Sequence, residues 1–167
     1  MKVPLVILGT ARSESNTREL VARVLADLPH TLIDLAQHSI APYNYNQDYT
    51  DSDAFLPIAN QMLAHQSIVF ATPVYWYSMS GELKHFFDRL TDLTGTHKAL
   101  GRLLVNKKIY LLASGSDSEL PLGFEVPFQR TAQYFHMRFT STFYQSTQQP
   151  YHETLALIFR QQLCDNQ

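Results

Sequence analysis

The feature that most constrains this chain is a regular alternation of short apolar runs with longer amphipathic segments. "VPLVIL" (3–8), "HTLIDL" (30–35), "QSIVFATP" (66–73), "KKIYLLASGS" (107–116) and "RFTSTFYQS" (138–146) read as strands, and several are apolar at nearly every position. Such runs belong to strands covered on both faces. Between them lie segments with helical spacing. Residues 17–28 carry Leu20, Val21, Val24, Leu25 and Leu28, and "GELKHFFDRLTDL" (81–93) carries Leu83, Phe86, Phe87, Leu90 and Leu93. Further helices are expected around 53–65, where Pro57 leaves the exact start open, over 123–137, with Pro127 tolerable only in its first turns, and over 151–164. Asn16 and Glu19 have the spacing of a capping box at the start of the first helix. Strict strand–helix alternation predicts a doubly wound α/β fold with a five-stranded parallel sheet, order 2-1-3-4-5. Residues 1–167 are expected to form one domain.

Composition narrows the function classes. With 45% apolar and 17% charged residues the chain reads as globular, and a net charge of −2 gives no electrostatic footprint for nucleic acid or an anionic membrane. Nothing approaches the apolar length of a transmembrane helix, and "MKVPLVILGT" lacks the character of a secretion signal, so a cytoplasmic protein is expected. One cysteine, Cys164, excludes an intrachain disulfide. The seven histidines are scattered without metal-ligand spacing, and no Ser-His-Asp or Cys-His arrangement is recognisable.

In a sheet of this order, ligands sit beyond the carboxyl ends of the strands near the switch point between strands 1 and 3. The unusual loops follow strands 1, 3 and 4. In "GTARSESNT" (9–17), Thr10, Arg12, Ser13, Ser15, Asn16 and Thr17 crowd the start of the first helix. Free N–H groups, hydroxyls and one guanidinium at a helix N-terminus suit an anion. With Gly9 alone the loop matches neither the P-loop nor the dinucleotide glycine fingerprint, so a monophosphate fits better than a pyrophosphate. Ser15 and Asn16 are also residue types that cap helices, but capping alone gives no reason for Thr10 and Arg12. In "TPVYWYSMSGELK" (72–84) the consecutive Tyr75, Trp76 and Tyr77 cannot all face one core, so at least one is expected to face a flat ligand or another subunit. "ASGSDSELPLG" (113–123) offers Ser114, Gly115 and Ser116 as donors, in what is otherwise a generic turn.

Taken together, "GTARSESNT", "TPVYWYSMSGELKHFFDR" and "GFEVPFQRTAQYFHMRF" resemble the flavodoxin-like NAD(P)H-dependent FMN reductases, a family that also includes quinone and azo reductases. The resemblance implies a flavodoxin-like three-layer sandwich and FMN as cofactor. It further implies that Thr10, Arg12, Ser15, Asn16 and Thr17 hold the FMN phosphate. Pro73, Val74, Tyr75, Trp76, Tyr77, Ser78 and Met79 would line the isoalloxazine, and Ser114, Gly115 and Ser116 would meet its pyrimidine edge. The expected reaction takes hydride from NAD(P)H through the flavin to a small acceptor such as a quinone, an azo compound or free flavin. With the flavin carrying the chemistry, no catalytic acid or base is expected. A flavodoxin-type electron carrier and a non-catalytic FMN-binding module remain as alternatives. A homodimer, or a tetramer, is expected through the third helix, where Phe86 and Phe87 widen the apolar surface.

Overall fold

The computed structural model describes residues 3–165. Five strands, β1 (Leu5–Leu8), β2 (Thr31–Asp34), β3 (Ser67–Pro73), β4 (Lys108–Gly115) and β5 (Arg138–Ser146), form one sheet in the order β2-β1-β3-β4-β5. Every pairing is parallel, with Leu5 opposite Thr31 on one side and Ile68 on the other. The fold is the flavodoxin-like doubly wound sandwich expected from the alternation.

The described residues form six α-helices, α1 (Asn16–Val24), α2 (Phe55–Ala64), α3 (Gly81–Arg89), α4 (Lys98–Arg102), α5 (Val126–Tyr134) and α6 (Glu153–Asp165). The two-residue period of the strands divides the core into two. Leu5, Ile7, Ile68, Phe70, Ile109 and Leu111 pack with α2, α3 and α5 on one face. On the other, Val6, Leu8, Val69, Ala71, Tyr110 and Leu112 pack with α1 and α6. Both faces of β1, β3 and β4 are therefore buried, which accounts for their apolar runs.

Several boundaries differ from the sequence reading. The cap of α1 is Ser15 rather than Asn16: Ser15 is extended (φ −157°, ψ 157°) and its hydroxyl accepts from the Arg18 N–H at 3.2 Å. Serine and asparagine cap about equally well, so the spacing to Glu19 alone did not decide between them. The third helix is α-helical only to Arg89 and finishes as a 3₁₀ turn over Leu90–Leu93. Helix α4 was not expected, because its five residues are too few to show a stripe.

Phe86 and Phe87, taken in the sequence reading as too wide an apolar face for one sheet, are accounted for within the subunit. Phe86 is fully buried against Phe55 and Phe70. Phe87 meets Phe70 and Phe128 edge-on, with ring centroids 5.0 and 5.2 Å apart. The outward face of α3 instead carries Glu82, Lys84 and His85.

Candidate functional site

The loops after β1, β3 and β4 converge at the carboxyl edge of the sheet. Gly9 ends β1 under the first turn of α3, where a Cβ on it would lie 2.6 Å from the Leu83 Cβ, so only glycine lets the helix approach this closely. Ser80, the cap of α3, accepts from the Leu83 N–H and donates its hydroxyl to the Gly9 carbonyl at 2.7 Å. Thr72 accepts from the Ser80 N–H at 3.0 Å. The Thr17 and Ser114 hydroxyls, both buried, share a hydrogen bond of 2.7 Å that ties the start of α1 to the end of β4. These buried side-chain bonds fix the three loops relative to one another.

Between the loops lies a cleft of about 320 Å³, lined by Arg12, Ser15, Asn16, Thr17, Pro73, Val74, Tyr75, Ser114, Gly115, Ser116 and Thr147. Ten of these residues are among those the sequence reading singled out, drawn from three loops far apart in the chain. Thr147 was not; it directly follows β5, and its N–H donates to the Gly115 carbonyl at 2.7 Å. A lone threonine after a strand carries no signal in the sequence.

Two singled-out residues stand behind the cleft wall. Thr10 is fully buried and its hydroxyl donates to the Arg12 carbonyl at 2.6 Å, so it shapes the loop without lining the cleft. Met79 is buried in the core beneath α3. Trp76 and Tyr77 border a smaller hollow with Val74, Ser116 and Asp117, adjoining the cleft through Val74 and Ser116.

The first loop is a cradle of donors. Among the described residues, no backbone N–H from Ala11 to Thr17 has an acceptor within the chain; the next two along α1 are taken by Ser15. Arg12 is exposed on the cleft wall and enters none of the ion pairs among the described residues. It is also the one charged residue of the lining, which holds no carboxylate or imidazole. The cleft thus offers positive potential and N–H groups to an anion, with the Tyr75 phenol as its one titratable group besides Arg12.

The third-strand loop is a two-residue hairpin. Tyr75 and Ser78 exchange backbone hydrogen bonds of 2.9 and 3.0 Å, and between them Trp76 (φ 48°) and Tyr77 (φ 64°) are both left-handed. Such turns favour Asn-Gly because side chains at positive φ cost about 1–2 kcal/mol each. Here two large aromatics accept that strain while remaining 93% and 68% exposed. Strained backbone of this kind collects at binding sites. The Trp76 and Tyr77 N–H groups have no acceptor among the described residues. Behind them Gly115 is closely packed: a Cβ on it would lie 2.8 Å from the Tyr144 hydroxyl and 3.2 Å from the Val74 Cβ. Burial, and then the nearby Asp117, push the Tyr144 phenol above its ordinary pKa; its O–H donates to the Asp117 carbonyl at 2.8 Å.

These parts fit FMN by the chemistry of the donors: N–H groups and a guanidinium at one end suit a phosphate dianion, and hairpin and β4-loop donors at the other suit a flat ring with polar edges.

Comparison with known proteins agrees with this geometry. A "NADPH azoreductase" of Bacillus sp. (strain OY1-2) is 34% identical over 102 residues, 60% of this chain and 57% of that one. A Bacillus subtilis (strain 168) protein, YwqN, named as an NAD(P)H-dependent FMN-containing oxidoreductase, is 30% identical over 125 residues, 68% of this chain and 66% of that one. The chain therefore spans somewhat less than two thirds of the length of these relatives. Among solved structures, the Trp repressor binding protein of Bacillus subtilis superposes with a TM-score of 0.70 at 24% identity, covering 98% of this chain and 94% of that one. General stress protein 14 of Treponema denticola, solved in complex with FMN, gives 0.63 at 20% identity, covering 98% and 95%. At these identities the two structures speak for the fold alone. The family model for NADPH-dependent FMN reductases matches residues 1–122, which include two of the three cleft loops and most of the third, and the chain belongs to that family.

Proposed function

We propose that this chain is an FMN-dependent oxidoreductase that takes hydride from NAD(P)H and delivers it to a small, flat acceptor such as a quinone, an azo compound or free flavin. The observation that carries this reading is the run of unpartnered N–H groups from Ala11 to Thr17 beside the unpaired Arg12, at the edge of the cleft. When bound, the flavin supplies the hydride chemistry. Arg12 and the start of α1 hold its phosphate. Val74, Tyr75, Ser114, Gly115 and Ser116 orient the ring, and the N–H groups of the strained hairpin face its polar edge. Trp76 and Tyr77 stand exposed at the rim, where aromatic faces favour a planar acceptor over an aliphatic one.

The same exposed aromatics support pairing of two copies across the cleft mouths, with the hairpin rather than Phe86 and Phe87 as the apolar contact. Light scattering at micromolar concentration is expected to give the mass of a dimer; a monomer would overturn that part of the reading.

The decisive test of the activity is NAD(P)H oxidation by the FMN-loaded protein with a quinone, an azo dye and free flavin as acceptors. Turnover with at least one is expected. Reduction of the bound flavin without turnover on any small acceptor would return the chain to the electron-carrier class.

A further inference from the structure

The cleft does not end at the phosphate loop. A second cavity of about 370 Å³ shares Asn16, Ser114 and Thr147 with it and continues along the first two turns of α1 toward the start of α6, where Glu19, Arg23 and Tyr151 line it. Glu19 and Arg23 are four residues apart, hence on one face of α1. Opposite charges at this spacing commonly pair, yet these two do not pair with each other or with any other described residue. Arg23 is instead held over the Tyr151 ring, 3.6 Å from its centroid, and Tyr151 packs in turn on Phe143. A guanidinium stacked in this way loses little freedom on binding and keeps its planar fork of donors for a ligand.

On the reading that the main cleft holds FMN, we propose that this annex seats the adenosine ribose of the nicotinamide co-substrate, with Arg23 receiving the 2′-phosphate of NADPH and Glu19 the ribose 2′-hydroxyl of NADH. The placement follows from the layout of the cleft. A dinucleotide that lays its nicotinamide on the flavin ring, at the hairpin end, reaches the annex across Asn16, Ser114 and Thr147, which line both cavities. The two side chains match the two forms of the ribose. A carboxylate accepts from a free 2′-hydroxyl, whereas an arginine fork pairs with a 2′-phosphate. With both on one helix face, the chain accepts either co-substrate, and the balance between them rests on these two charges.

Calorimetric titration with adenosine 2′,5′-bisphosphate and adenosine 5′-monophosphate tests this directly, on protein with and without FMN. The bisphosphate is expected to bind about tenfold more tightly than the monophosphate, as a charge-assisted fork contact at a partly exposed site implies. Arg23→Gln is expected to erase that difference, Arg23→Lys to restore part of it, and Glu19→Gln to enlarge it, all with unchanged FMN affinity. In turnover, Arg23→Gln raises the ratio of the NADPH KM to the NADH KM by a similar factor. Equal affinity for the two nucleotides in the wild type, or a preference that survives in Arg23→Gln, overturns the proposal. The two readings fail separately. A chain that takes up FMN without an Arg23-dependent preference loses the annex alone, and one that prefers the bisphosphate through Arg23 but takes up no FMN loses the cofactor assignment.

Discussion

Arg12 and Tyr77 show at the level of single residues how the cleft separates binding from stability. The Arg12 side chain is exposed and enters no ion pair among the described residues, so the fold does not depend on it, whereas a phosphate beside it gains a charge-assisted contact worth about 1.5–3 kcal/mol. Arg12→Ala is therefore expected to weaken FMN binding by roughly one to two orders of magnitude with an unchanged unfolding midpoint. Unchanged affinity in a flavin titration would move Arg12 to a surface role. Tyr77 is the converse case. At φ 64° it pays a conformational cost that glycine does not. Tyr77→Gly is expected to raise folding stability by up to about 1 kcal/mol, read by urea denaturation, while raising the KM for aromatic acceptors. A variant that is less stable than the wild type would show that the ring is anchored by packing rather than strained for function.

Helix α3 illustrates what an element does for the site and what it conceals in sequence. Its first turn is docked on Gly9 through Ser80, and its last is locked by Arg89, which is 1% exposed. The Arg89 guanidinium donates to Asp53 at 2.8 Å, to Asp92 at 2.9 Å and to the Ala41 carbonyl at 3.0 Å, with the Tyr49 ring over its other face. The segment between β2 and α2 is thereby clamped to α3. Burial alone would raise the Asp53 carboxyl, but the Arg89 hydrogen bond and the N–H groups of Ala41 and Phe55 outweigh it and hold the group below the usual aspartate range. A depressed carboxyl stabilises the fold at pH values above its unfolded-state pKa, and this contribution is lost as pH falls through the folded value. Melting of the wild type is thus expected to be flat near neutrality and to drop below about pH 4. Asp53→Ala, which leaves a buried guanidinium short of a partner, is expected to cost about 3–5 kcal/mol at pH 7 and to flatten the acid limb. An acid limb as steep as that of the wild type would assign it to other carboxylates. None of this clamp was legible beforehand. An arginine at the end of "GELKHFFDR" reads as a solvated charge, and its partners are identified only once the chain has folded.

For the molecule as a whole, what could be read in the sequence follows physical lines. Strands buried on both faces announce themselves as uninterrupted apolar runs, and their alternation with helical stripes pointed to a parallel, doubly wound sheet. The loops after β1 and β3 stood out because they carry hydroxyls, an arginine and consecutive aromatics where a plain turn would need none, whereas the loop after β4 read as a generic turn. Thr147 and the annex of Glu19, Arg23 and Tyr151 did not stand out, because each is an ordinary residue on an ordinary element and becomes notable only through its neighbours. Likewise, a linear pattern cannot show that Phe86 packs on Phe55 and Phe70, and Phe87 on Phe70 and Phe128. The central claim is that the donor loop from Ala11 to Thr17 exists to hold the phosphate of FMN. The most direct measurement is equilibrium titration of the flavin-free protein with FMN and with riboflavin, which share the ring and differ only in that phosphate. FMN is expected to bind at least about a hundredfold more tightly, as several charge-assisted contacts of about 1.5–3 kcal/mol each require. Equal affinity for the two flavins, or no binding of either, would contradict it.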